Sequence, residues 1–216
     1  MPKIVDHAER RAQIALALWS TIYAEGISGV SFAAVARHGG ISIGRIQHYF
    51  PTKRDLVLAG ARAIVAGAEE RFRSTADGAR SSGDGADEPT AEYGIDDRMS
   101  ADQAADTLRT LLVGQIPDSP ESRIGSAVWS AYLAASIADR EIAEIVLDAI
   151  AGTRDLIGRL AARVRPDLSQ ERLELVALRL SALRDGLAHE VLHASASPES
   201  ARAVIEEEIA ALTTRG

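Results

Sequence analysis

The sequence predicts an all-α fold, and three observations lead there. Apolar residues recur at spacings of three and four, as a helix with one buried face requires. Ile14, Leu18 and Ile22 form one stripe, Ile142, Ile145, Val146, Ala149 and Ile150 a second, and Leu173, Val176, Ala177, Leu180, Leu183, Leu187 and Val191 a third. Ala, Leu, Arg and Glu, all strong helix formers, dominate, and aromatic residues make up only 4%. No alternating apolar–polar run reaches strand length.

The breaks divide this pattern into about nine helices. Glu25-Gly26 ends the first, with glycine supplying a left-handed C′ residue. Ser31 caps a short helix ending at His38, Gly39-Gly40 makes a turn, and Ser42 caps a second short helix over 42–48. Pro51 follows, and Thr52-Lys53-Arg54-Asp55 reads as a capping box that starts a longer helix running past Arg71. Residues 74–98, rich in Gly, Ser, Asp and Ala, are expected as a flexible loop. A tolerated insertion explains them more simply than a lid over a pocket. Further helices are expected at about 100–115, 120–138, 140–164, 169–194 and 198–213, with Pro117, Pro120, Pro166 and Pro198 at or near the joints.

The 216 residues are 46% hydrophobic and 25% charged, enough apolar surface to exclude a wholly disordered chain. With no cysteine there is no disulfide framework, thiolate metal site or Cys nucleophile. No apolar run approaches the ~20 residues of a membrane helix. Met1 to Arg11 carries charges of both signs, so a secretory signal is not expected and the cytoplasm is the expected location. The net charge of −7 is uneven. Residues 1–56 hold seven basic residues (Lys3, Arg10, Arg11, Arg37, Arg45, Lys53, Arg54) against Asp6, Glu9, Glu25 and Asp55, leaving −10 on the remainder. A basic end on an acidic body suggests that only the N-terminal part meets a polyanion.

Two short helices joined by a glycine turn behind a longer amphipathic helix make a helix-turn-helix layout. Ile14, Ala17, Leu18, Phe32, Val35, Ala36, Ile41, Ile46, Phe50 and Leu56 fit a small three-helix core. That leaves Ile43, Gly44, Arg45, Gln47 and His48 off the core. Arg45 suits guanine and Gln47 adenine, while Gly44 lets the backbone approach DNA closely. His48 and Tyr49 reach phosphates or bases, and Lys53 with the free N–H groups at the start of its helix suits a phosphate. Ser31 and Ser42, the two caps, complete the expected DNA-binding set. Blander roles stand beside these: Arg45 contacting phosphate only, His48 packing, Ile43 simply exposed.

The segment GISIGRIQHYFPTKRDLV, residues 40–57, resembles the signature of the TetR family of transcriptional repressors, and the likeness extends over about residues 8–60. The resemblance implies an all-α homodimer whose helix-turn-helix, residues 1–51, binds a palindromic double-stranded DNA operator. Residues 52–216 would form a ligand-binding and dimerisation domain, released from DNA by a small-molecule effector that swings the fourth helix. Phe32-Ala33-Ala34 lacks the polar residue many members carry after the cap, and Arg45 and Gln47 replace a frequent Thr and Tyr, so base preference is this chain's own.

Farther on, Trp129-Ser-Ala-Tyr132, Ala-Asp-Arg-Glu and Ala-Leu-Arg-Asp185-Gly186-Leu are similar to the C-terminal domain of betaine-operon-type repressors, which implies a cationic or amphipathic effector. Trp129, Tyr132 and Ser136 share a helical face, and Asp185 and His189 lie one turn apart. These five are the expected effector-binding residues, with Trp129 and Tyr132 offering π faces to a cation and Asp185 a counter-charge. Core packing for the aromatic pair, and pairing of Asp185 with Arg184 or Arg179 or across a dimer interface, are the alternatives. The helices at 169–194 and 198–213 are the expected dimer surface.

His189-Glu190-Val191-Leu192-His193 matches the zinc-hydrolase pattern H-E-x-x-H. A third ligand and a substrate-binding strand are lacking, so neither catalysis, a metal nor a cofactor is expected. A zinc hydrolase and a helical interaction module without DNA binding stand as the alternative functions.

Overall fold

The computed structural model describes residues 3–81 and 99–214, and these contain helices and connections without a strand. The helices are α1 (Lys3–Glu25), α2 (Phe32–Gly39), α3 (Ile43–Tyr49), α4 (Lys53–Ser81), α5 (Ala101–Val113), α6 (Pro120–Ser136), α7 (Arg140–Val164), α8 (Gln170–Leu192) and α9 (Pro198–Thr213). No described helix is long and apolar enough to cross a membrane.

One expectation fails. Helix α4 continues to Ser81, eight residues into the segment expected as loop. Ser74 and Thr75 turn their hydroxyls back onto the Arg71 carbonyl, so these two residues satisfy their polar groups within the helix rather than breaking it. The rest of that expected loop lies outside the described residues. Helices α5, α6 and α8 stop two residues before their expected ends.

Packing divides the chain into two compact units, Met1–Gly67 with Arg123–Ala149, and Ala68–Ser122 with Ile150–Gly216. The functional boundary expected after Pro51 is a different division and is taken up under Proposed function.

In the first unit Ile14, Leu18, Val35, Ile46, Phe50 and Leu56 are buried, as the apolar spacing required, while Phe32, Ala36 and Ile41 are half-buried. Gly26 and Gly40 both take positive φ, 71° and 61°, which ends α1 and makes the tight α2–α3 turn at no steric cost. Gly39 has a separate task. It belongs to α2, and a methyl there would sit 2.5 Å from the Ala17 side chain, so its lack of a side chain lets α2 lie close on α1.

Serine side chains close the short helices. Ser31 accepts from the Ala34 N–H and Ser42 from the Arg45 N–H. At α4 the expected capping box is present: the Thr52 N–H donates to Asp55, 3.1 Å, and the Asp55 N–H donates to the Thr52 hydroxyl, 3.0 Å.

The same unit contains α6 and the start of α7. Tyr132 is fully buried and its hydroxyl donates to the Val57 carbonyl of α4 at 2.9 Å. Burial pushes this phenol's pKa up, so it stays a neutral donor. The Trp19 indole N–H of α1 donates to the Gly60 carbonyl at 3.2 Å. A methyl on Gly60 would lie 2.4 Å from Leu18 and 2.6 Å from the Tyr132 hydroxyl, so α1, α4 and α6 meet around a residue that must be glycine.

The second unit has its own core, built on Leu108, Leu112, Ile157, Leu160, Leu180 and Ile205. Around it Arg109 pairs with Glu206 at 2.7 Å, Arg179 with Glu208 at 3.2 Å, and Arg202 with Asp118.

Candidate nucleic-acid interface

The outer face of α3 presents the residues that the sequence singled out. Ile43, Gly44, Arg45, Gln47 and His48 are exposed, as is Lys53 at the first turn of α4, and Tyr49 is half-buried. A rigid backbone holds these side chains: Ile46 is completely buried beneath them, and Phe50 closes the helix with its N–H on the Ile46 carbonyl. His48 therefore does not pack into the core. Its ring lies edge-on to Tyr49, with centroids 5.2 Å apart. Ile43 keeps 43% of its surface exposed, far more than an isoleucine placed for packing.

Ser31 and Ser42 are brought to the same region in another capacity. Their side-chain oxygens are occupied by backbone N–H groups, 3.1 and 3.4 Å away, so they fix where α2 and α3 begin.

The structure adds residues from α1 to this face. Arg10 joins Arg45, His48 and Tyr49 in lining a shallow groove of about 450 Å³. His7 packs edge-on to the other side of Tyr49 at 5.4 Å, and the Arg11 guanidinium lies 5.2 Å over the Phe50 ring. The sequence carried a signal for this. His7 and Arg11 continue the Ile14–Leu18 stripe at the same spacing, placing polar residues where α1 runs beyond its apolar contacts. They had been counted only as charge. Arg37, also counted there, is drawn inward: it pairs with Glu25 at 2.5 Å, and His38 lies 2.8 Å from the same oxygen. These two partners, His38 foremost, hold the Glu25 carboxyl below its ordinary pKa.

An exposed helix bearing arginine, glutamine and histidine, with a lysine at the next helix start, has the donor and acceptor types that base edges and phosphates require. Residues 16–59 match the bacterial regulatory proteins of the tetR family, and residues 104–214 match the C-terminal domain of BetI-type transcriptional repressors. The chain belongs to the TetR family of transcriptional regulators. Among relatives, it is 28% identical to the transcriptional regulator PksA of Bacillus subtilis (strain 168) over 92% of this chain and 84% of that one. It is 29% identical to the regulator BetI of Cronobacter sakazakii over 87% and 81%. A solved regulator from Saccharomonospora viridis, in complex with choline, shares the fold with a TM-score of 0.72 at 22% identity, over 94% of this chain and 96% of that one.

As a TetR-family protein with a BetI-type C-terminal domain, the chain is a transcriptional regulator and not an enzyme. His189 lies in α8, but His193 is that helix's C-cap, and no group of three metal-ligating side chains occurs among the described residues.

The residues expected to bind an effector are placed variously. Trp129 and Ser136 are half-buried on α6, with the Ser136 hydroxyl turned onto the Leu133 carbonyl. Tyr132, on the same helix, is a core residue whose hydroxyl is used by Val57. In the second unit Asp185 pairs with its neighbour Arg184 at 2.6 Å, one of the alternatives the sequence allowed, and the exposed His189 ring contacts the Asp185 carbonyl at 2.8 Å.

Proposed function

We propose that this TetR-family regulator is a repressor that binds a palindromic operator as a homodimer, with residues 1–51 reading DNA and 52–216 carrying effector binding and dimerisation. Helix α3 would enter the major groove. Arg45 and Gln47 would contact base edges, Ile43 a thymine methyl, and His48, Tyr49 and Lys53 the backbone, while Ser31 and Ser42 hold the two short helices in place.

One observation carries this reading. Gly44 sits inside a seven-residue helix, yet a side chain there would meet no atom within 4 Å. Nothing inside the protein calls for glycine at a position where it weakens the helix. Close approach of an outside surface supplies the reason.

For the effector, the BetI-type match supports a small cation, the class to which the choline bound by the Saccharomonospora viridis regulator belongs. Trp129 is the π face offered by α6, with Tyr132 and Ser136 beside it in sequence. Asp185 and His189 are the polar candidates on α8. The cytoplasm is the compartment where such a regulator meets DNA.

Selection of bound duplexes from a random pool by the purified protein tests the reading. One enriched palindrome with half-sites about one helical turn apart supports it. A folded protein that enriches no sequence, with or without choline, overturns it.

A further inference from the structure

Helix α4 is tied down twice in the first unit, and the two ties differ in kind. The first is buried: Tyr132 on the Val57 carbonyl, Trp19 on the Gly60 carbonyl, and Gly60 hard against Leu18. It has no room to slide. The second lies at the exposed start of the helix. Arg54 grips Asp139 with two bonds, 2.8 and 2.9 Å, and also bonds Glu141. Asp139 is at the same time the cap of α7, accepting from the Glu141 and Ile142 N–H groups at 3.1 and 3.2 Å. One carboxylate thus joins the first turns of α4 and α7. Arg54 leads, with the α7 N–H groups behind it, in holding this carboxyl at a pKa of about 2. Beneath the joint is a groove of about 420 Å³ whose apolar lining includes Ile27, Val57, Leu58, Ala135 and Ile142.

Stability does not account for such a joint. Exposed ion pairs contribute little to it, because water screens the charges and two long side chains must be immobilised. What the joint does is fix the direction of the first turn of α4. Lys53 is the neighbour of Arg54, and Asp55 closes the capping box beyond it. Three consecutive residues thus face DNA, bind α7 and seal the helix end.

We propose that Arg54 is a positioning residue for DNA binding: held by Asp139 and Glu141, it sets the first turn of α4 so that Lys53 meets the DNA backbone. This rests on the DNA-reading role proposed above.

The full-length protein and its selected duplex make the test. Operator affinity is measured by fluorescence anisotropy over a series of KCl concentrations for wild type, Arg54→Gln, Asp139→Asn/Glu141→Gln and Lys53→Ala, with melting temperatures recorded alongside. Asparagine keeps the α7 cap while removing the charge. Arg54→Gln and the Asp139/Glu141 double variant are each expected to weaken binding about tenfold and to lower the salt slope by about 1, as Lys53→Ala does. Adding Lys53→Ala to either should then cost nothing more. Removing two acids makes the protein more positive, so a loss in that variant runs against bulk electrostatics.

The proposal is overturned if affinity holds while the melting temperature falls, which would leave the joint as a structural tie. It is equally overturned if Arg54→Gln alone lowers the slope, since Arg54 would then touch phosphate itself. A wild type that selects no duplex brings down the DNA-reading role and this inference together.

Discussion

At Gly44 the backbone is ordinary helix and the space beyond the Cα is open, so an alanine there improves the fold and obstructs only what comes from outside. Gly44→Ala should raise stability by about 0.5–1 kcal/mol in urea denaturation while weakening DNA binding. Both changes in the same direction would refute the close-approach argument. Gly60 is the opposite case. Its missing side chain is filled by Leu18 and Tyr132, so Gly60→Ala should destabilise by about 1–3 kcal/mol, read from the same denaturation curves. Arg45 is tested on sequence preference rather than on stability. Arg45→Ala should cost about 1–3 kcal/mol of discrimination at one base pair, measured against a panel of single-base operator variants. How much of this was legible follows from the kind of residue. Arg45, Gln47 and Lys53 were readable because a buried Ile46 and a capping box dictate that they face outward. Tyr132 was not, because a buried tyrosine and a pocket tyrosine have the same helical spacing. Its bond to Val57 spans 75 positions of sequence.

At the scale of the element, helix ends were the most legible feature, since caps are local chemistry. Ser31, Ser42, Thr52 and the glycines at 26 and 40 all act as their spacing required. The end of α4 was misread because Gly, Ser and Asp lower helix propensity without forbidding a helix, and Ser74 and Thr75 bond within it. The Arg54–Asp139 joint left no trace in the sequence, for its partners are 85 positions apart. It does leave one in acid. A carboxyl lowered from 3.8 to about 2 stabilises the fold fully above pH 3.8, and that contribution disappears as pH falls through 2. The melting-temperature difference between wild type and Asp139→Asn should therefore shrink between pH 4 and 2. A difference that persists at pH 2 would assign it to something other than this ionisation. The close of α8 gives another test. Ala194 follows it at φ 59°, a left-handed conformation that costs a residue bearing a Cβ about 1 kcal/mol or more. Ala194→Gly should recover about that amount in thermal or urea unfolding.

For the whole molecule, the outward faces of α8 and α9 carry Leu175, Leu178 and Val204, with Leu175 and Leu178 about half exposed. Their own unit does not use these side chains, and the homodimer proposed above would cover them. Leu178→Glu should shift the protein from dimer to monomer in light scattering after size exclusion, and operator affinity should fall with it. A dimer that survives this change locates the interface elsewhere. The second unit's core was readable from the helical stripes, but which apolar residues face outward was not, because one stripe serves both a core and an interface. The protein also has only two tryptophans. Trp19 donates its indole N–H to the carbonyl of Gly60, inside the buried tie that fixes α4. A Trp129→Phe variant would leave that indole as the sole tryptophan emitter. Any displacement of α4 at Gly60 would exchange the carbonyl for water and move the emission to the red. The fold thus contains its own optical reporter of α4, readable in a cuvette as DNA or a candidate effector is titrated in, with no dye attached.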